Sequence, residues 1–249
     1  MNIGVYQSAA SISALERWQD AVSQNIASSQ VSGYKKRTID FAGVNSGQIK
    51  TDPNARLDRD EGQPAMFPKA SYGINFQQGD TTPTHRELDV ALQSTGFFEV
   101  QTPTGSHAYT RNGSFHLTPD RMLVDSAKNQ VLSDGGNPIQ FPAQGGEISI
   151  NQDGIITQGT TQVGRLGVVK FANTSLLSPI GAGLFVPTTG VSPQPLDAPN
   201  VLQGQLEGSN ITPLREMVDL VTISRAYESN QKMITSSDEI MQKTLEALG

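Results

Sequence analysis

Three histidines, His85, His107 and His116, and the carboxylates Glu87 and Asp89 near the first of them are the residues best suited to acid–base or metal chemistry. A general base needs a nucleophile within hydrogen-bond reach, and a metal site needs several ligands at a fixed spacing. Neither pattern is present. The histidines are scattered, and His107 and His116 approach one another only if the chain turns back at Asn112-Gly113, so they read as surface or strand-face residues. Alternation in Arg86-Glu87-Leu88-Asp89-Val90 predicts a strand entering a β domain with Leu88 and Val90 inward. Gly181-Ala182-Gly183 lacks the Lys and Ser/Thr of a phosphate loop, and Asn151-Gln152-Asp153-Gly154 has too few carboxylates for calcium. The chain has no cysteine, so disulfides, thiol nucleophiles and thiolate metal sites are excluded. The expectation is a protein that is not an enzyme, with no catalytic residue, no cofactor and no metal.

The elements around these residues divide the chain sharply. Of the 38 glycines and prolines, 36 fall between Gly33 and Pro213; residues 1–32 contain only Gly4, and residues 214–249 only the final Gly249. Gly and Pro interrupt helices, so the pattern predicts two long terminal helices around a strand-and-turn middle, an α+β chain. In the first, Ile12, Leu15, Val22 and Ile26 keep helical spacing, while only Glu16, Arg17 and Asp20 are charged. So little charge fits either a helix buried in its own domain or one packed among neighbouring subunits. The second opens with Thr212 as N-cap and Pro213 in the first turn. Its heptad positions Leu220, Tyr227, Ile234, Met241 and Leu248 form one line of a seam, and Met217, Ser224, Gln231, Asp238 and Leu245 the other. The polar centre of that seam trades stability for register and partner choice. Thr235-Ser236-Ser237-Asp238-Glu239 resembles a capping box, leaving open a second helix from there.

Residues 35–86 read as an extended connector, most clearly from residue 42 onward, and residues 87–209 as a β-rich domain closed by a Pro-rich return loop. Gly96-Phe97-Phe98-Glu99-Val100 is a predicted strand, with Phe97, Phe98 and Phe115 as core residues. Asn112-Gly113 is the strongest hairpin signal, and Gln162 to Phe171 the longest predicted strand.

A formal charge of −6, with no basic run longer than Lys35-Lys36-Arg37, argues against nucleic acid or an anionic membrane as partner. No apolar stretch reaches the roughly 18 residues of a membrane span. The first basic residue is Arg17, so the N-terminus does not read as a cleavable secretory signal.

Several blocks together resemble the bacterial flagellar rod and hook proteins of the axial filament. Ser23-Gln24-Asn25-Ile26-Ala27-Ser28 and Ser32-Gly33-Tyr34-Lys35 are similar to the family's Asn-rich helix end and Gly-aromatic-Lys exit. Gln24, Ser28 and Val31 replace its usual Asn, Asn and Thr. Leu88-Asp89-Val90-Ala91-Leu92, Gly96-Phe97-Phe98 and Tyr109-Thr110-Arg111-Asn112-Gly113-Ser114-Phe115 resemble its central block. Gly208-Ser209-Asn210, Glu216-Met217-Val218, Arg225-Ala226-Tyr227-Glu228 and residues 235–239 resemble its closing helix. Val163 to Lys170 and Leu206 to Asn210 are most similar to the proximal-rod members, with distal-rod members as the alternative.

The resemblance implies that residues 1–34 and 210–249 pair as an antiparallel coiled coil and assemble into a tube. On that reading the assembly interface comprises Leu15, Val22, Asn25, Ile26, Met217, Leu220, Tyr227, Ile234, Met241, Leu245 and Leu248. The implied partners are other copies of the chain, other flagellar rod proteins and the flagellar type III export apparatus, with no nucleic acid and no direct membrane insertion. The implied location is the basal-body rod spanning the periplasm, reached without a cleaved signal. A rival expectation from another class is a secreted β domain that binds or processes carbohydrate. Trp18, the only tryptophan, lies outside that domain and gives it no stacking platform.

Overall fold

The computed structural model describes residues 3–49, 63–143, 145–188 and 190–248. Helix α1 (Ile3–Ala27) is followed by strands β1 (Arg37–Ile49) and β2 (Gln63–Ile74), and helix α2 (Pro213–Leu248) closes the chain. Between them run β3 (Thr81–Pro83), β4 (Val90–Leu92), β5 (Phe97–Gln101), β6 (His107–Thr110), β7 (His116–Leu117), β8 (Leu123–Val124) and β9 (Gln130–Val131). Then come β10 (Ile148–Ile150), β11 (Ile155–Gln158), β12 (Thr161–Arg165), β13 (Val168–Lys170), β14 (Leu177–Gly181), β15 (Leu184–Pro187), β16 (Gln194–Pro195), β17 (Val201–Gln203) and β18 (Gln205–Glu207). The class is α+β, two terminal helices and a central antiparallel β domain. No helix among the described residues is long and apolar enough to cross a membrane.

The chain forms two compact units. One gathers Met1–Ala27, Arg37–Gly73 and Thr212–Gly249, the other Ser28–Lys36 and Ile74–Ile211. In the first, α1 packs against α2 and β1, and β1 pairs with β2 in a two-stranded sheet. The described parts of the predicted connector are thus long strands. They are held to α1 by an edge-on Trp18–Phe41 contact at 5.7 Å and by Arg17 donating to the Ala70 carbonyl at 3.2 Å.

Helix α2 starts where Thr212 and Pro213 predict, with the Thr212 carbonyl accepting from the Arg215 and Glu216 amides. It runs unbroken through residues 235–239. Thr235 and Ser237 turn their hydroxyls back to the Lys232 and Met233 carbonyls, so neither caps a new helix.

The second unit is built on a nine-stranded antiparallel sheet, whose main path is β14-β15-β6-β5-β9-β8-β7 with β13 joining β5 and β16. Phe97 and Phe98 alternate across β5 into two cores. Phe98 packs edge-on to Phe115 at 5.2 Å, and Phe97 joins Phe171, Phe185 and Phe76. Both faces are covered, which is why two consecutive aromatics are buried.

Three local expectations are corrected. Asn112-Gly113 does not join a hairpin: β6 pairs with β5 and β15, and β7 with β8. Asn112 instead accepts from the Ser114 amide, and Gly113 lets Val90 come close. A Cβ at Gly113 would lie 1.8 Å from the Val90 carbonyl oxygen, and the Val90 amide donates to the Gly113 carbonyl at 3.0 Å. His107 and His116 consequently sit on strands that do not pair with each other. The predicted strand from Gln162 to Phe171 breaks between β12 and β13, because Leu166 turns into the core and bridges Ser133 while the Gly167 amide donates to Leu132. Residues 86–88 form no strand, and Asp89 is wholly buried, bonded by the Arg86 guanidinium at 2.5 and 2.8 Å and the Thr84 hydroxyl at 2.6 Å.

Candidate functional site

In the helical unit, one buried polar residue organises the packing. Asn25, in the last turns of α1, donates to Glu216 Oε2 at 2.9 Å and to the Arg37 carbonyl at 2.9 Å, and its Oδ1 accepts from the Arg37 amide at 2.9 Å. Both Asn25 and Glu216 are buried. The C-terminal end of α1, the start of β1 and the N-terminal end of α2 therefore meet on one side chain. Glu216 occupies the first turn of α2, where a carboxylate also complements the helix dipole.

This bond fixes the rotation of α2. Glu216 and Ile223 are buried and Asn230 and Ser237 half-buried, one residue earlier than the predicted line 217, 224, 231, 238. That line faces outward, with Met217 51% exposed. Of the other predicted interface residues, Val22 is buried; Leu15, Ile26, Leu220 and Ile234 are half-buried; Tyr227 and Met241 are exposed. The side chains of Leu245 and Leu248 lie outside the described residues. Val22, Asn25, Leu220 and Ile234 thus belong to the packing within this unit, and Met217, Tyr227 and Met241 stand on its surface.

In the β unit a buried carboxylate plays the corresponding part. Glu207, at the end of β18, accepts from Lys35 Nζ at 2.5 Å, from Arg111 Nε at 2.9 Å and from the Gly79 amide at 3.1 Å. Both acidic oxygens and the Lys35 side chain are inaccessible to solvent. Lys35 also donates to the Gln77 carbonyl at 2.8 Å, and Arg111 to the carbonyls of Ser94 and Gly96. Burial pushes the Lys35 ammonium below its ordinary value; Glu207 opposes that shift and Arg111 adds to it. Burial likewise lowers Arg111. Two cations share one carboxylate, and the remaining donors are taken up by backbone carbonyls, as a buried charge cluster requires.

Gly33 sets the approach of this segment. Its φ is +69°, a Cβ there would lie 2.4 Å from the Arg111 carbonyl carbon, and its amide donates to the Glu207 carbonyl at 2.7 Å. Beside it, the Lys36 amide donates to Asn210 Oδ1 at 2.7 Å, while Asn210 Nδ2 reaches the Asn75 and Gln77 carbonyls.

The chemistry of both clusters is cohesive. Neither presents a nucleophile beside a base. Of the histidines, His85 and His116 are exposed, and His107 pairs with Glu99 at 2.9 Å on an exposed strand end. Glu99 also lies 3.5 Å from the Tyr109 hydroxyl, whose pKa burial and that carboxylate push up to about 12.

Sequence reasoning missed Glu216, Lys35, Glu207, Arg111 and Asp89 as structural centres. A signal was available, since each is a charged residue inside one of the blocks that carry the family resemblance.

Comparison with known proteins agrees with that resemblance. Residues 91–158 match the family model described as the flagellar hook protein FlgE/F/G D1 domain, and residues 202–247 that of the flagellar basal body rod FlgEFG protein C-terminal. The chain is 36% identical over 236 residues to flagellar basal-body rod protein FlgF of Caulobacter vibrioides, covering 94% of this chain and 93% of that one. It is 34% identical over 244 residues to flagellar basal-body rod protein FlgG of Buchnera aphidicola subsp. Acyrthosiphon pisum, covering 89% and 90%. Flagellar basal-body rod protein FlgF of Rhizobium meliloti is 30% identical over 261 residues, covering 100% and 99%.

Proposed function

The chain belongs to the bacterial flagellar basal-body rod protein family, and from that premise we propose how it builds the rod. It is a structural subunit of the basal body that assembles with other rod proteins, and it is not an enzyme. The carbohydrate-domain alternative has no support among its relatives.

We infer that residues 1–34 and 210–249 form the axial module, pairing as an antiparallel coiled coil that stacks with other copies and with other rod proteins. Residues 35–86 act as the extended connector, and residues 87–209 make lateral contacts. Assembled in this way, the subunit is part of the drive shaft that carries motor torque to the hook. We place the chain in the proximal rod, with the distal rod as the alternative. It reaches the periplasm through the flagellar type III export apparatus.

The observation that carries this reading is the Asn25–Glu216 hydrogen bond, which joins the end of α1 to the start of α2 across 191 residues of sequence. A contact at those two ends is what two helices running in opposite directions require. Electron microscopy of purified basal bodies, with this chain located by its density, tests the reading. Density for both helices in the wall of the proximal rod is expected, and density for the chain anywhere outside the rod contradicts it.

A further inference from the structure

Three stretches of the β unit, residues 28–36, 74–83 and 205–211, are held by one buried ion pair and by one another more than by the apolar cores. Strands β3 and β18 form a two-stranded sheet of their own. The Gly33 amide donates to the Glu207 carbonyl, the Gly208 amide to the Asp80 carbonyl and the Asn75 amide to the Lys36 carbonyl. Lys35 and Glu207, 2.5 Å apart, have no accessible side-chain surface. Apolar support is thin by comparison. Tyr34 and Ile211 are the buried apolar side chains of these stretches among the described residues, and Ile74 and Phe76 only flank the cluster of Phe97 and Phe185. Ser209 Oγ is buried without a hydrogen-bond partner.

Water opposes this arrangement more than it opposes the sheet. Opening these stretches rehydrates Lys35, Glu207 and the Ser209 hydroxyl, whereas opening the sheet exposes two apolar cores. We propose that the three stretches form a clasp that closes last and opens first, as one piece, while the nine-stranded sheet stays formed. Arg111 stays with the sheet, because its guanidinium also donates to the Ser94 and Gly96 carbonyls beside β5. Chain order gives the clasp its use. Residues 205–211 are the last of the β unit to be synthesised, immediately before α2. Until they arrive, Lys35 and Arg111 lack their counter-charge and the clasp stays open. The chain passes between its two compact units after residues 27, 36, 73 and 211, and each of these points is an end of a clasp stretch. Closure therefore fixes all of these passage points on the β unit in one step, once the chain is almost complete.

Hydrogen exchange of the folded, full-length chain in graded urea, below its unfolding transition, reads the opening. The amides of Gly33, Asn75 and Gly208 report the clasp; those of Glu99 and Leu132, which donate to the Gly167 and Glu99 carbonyls, report the sheet. The clasp amides are expected to share one protection factor, roughly tenfold or more below that of the sheet amides, with a smaller but measurable urea dependence. Trace acylation supplies a side-chain readout: the inaccessible Lys35 amine is expected to react through the same opening, well before the sheet amides exchange. Val100 is wholly buried in β5, and Val100→Ala is expected to lower protection of the sheet amides while leaving the clasp amides unchanged. One protection factor for both groups in the native chain overturns the proposal, because the β unit then opens only as a whole. Unequal clasp values without urea dependence overturn it too, since they mean local fraying. So does a Lys35 that reacts only when the sheet opens, or an equal loss of protection in both groups on Val100→Ala.

Discussion

Asn25 and Glu216, 191 residues apart, share a buried hydrogen bond of 2.9 Å that sets both where α1 ends against α2 and which face of α2 turns inward. An amide is suited to this place because it donates to the carboxylate and to the Arg37 carbonyl while accepting from the Arg37 amide.

Replacing Asn25 by Ala removes all three bonds and is expected to lower the stability of the purified chain by about 1–3 kcal/mol, measured by urea denaturation with far-ultraviolet circular dichroism. Asn25→Asp is expected to be more damaging at neutral pH, since it sets two carboxylates against each other, and to recover partly as acid protonates them. Equal stability of all three chains would mean that the bond contributes nothing.

Glu207 holds two buried cations, so its loss differs from the loss of either one. Glu207→Gln leaves Lys35 and Arg111 buried without a counter-charge and is expected to cost about 3–5 kcal/mol in the β unit. Lys35→Met retains the Glu207–Arg111 pair and is expected to be clearly milder. Amide exchange in β5 and β9 reads the difference, and the reverse order would refute a shared carboxylate.

Part of this was legible in the sequence. The helix ends were, because excluding Gly and Pro from 35 consecutive positions has no other structural use; so were the buried Phe97, Phe98 and Phe115, which follow from local apolar pattern. The clusters were not. Glu216 and Glu207 look like surface acids until folding brings up Asn25 or Lys35 from more than 170 residues away. The helical rotation was missed for the same reason: heptad spacing put Met217 on the seam, and the long-range contact of Asn25 with buried Glu216 turns that line outward. Asn112-Gly113 misled because its propensity for a tight turn is overridden by the close approach of Val90 and the inward pull on Arg111.

Gly113→Ala follows from that correction. A methyl 1.8 Å from the Val90 oxygen has no room, so β4 must shift and the variant is expected to lose about 3 kcal/mol or more, read as a lowered thermal midpoint. A residue that served only a hairpin turn would tolerate the change far better.

Asp89 predicts an acid limb in the pH–stability profile. Burial alone pushes its carboxyl up, but the hydrogen bonds from Arg86 and Thr84 outweigh that, and the net shift is below the ordinary 3.8. The folded chain releases this proton more readily than the unfolded one. Its contribution is therefore present above that ordinary value and lost as the pH falls through the lowered one. Denaturation midpoints of Asp89→Asn are expected to fall less steeply than those of the native chain below about pH 4. Parallel slopes would remove Asp89 from the account.

The most direct test of the terminal helices as the assembling part is the amount of an Ile234→Asp chain in purified basal bodies. Ile234 lies half-buried in the α2 seam, within the helical unit and outside the sheet that builds the β unit. The variant is expected to keep the near-ultraviolet signature of a folded β domain, to be absent from rods and to leave cells non-motile. Wild-type amounts of the variant in rods, with normal motility, would contradict it.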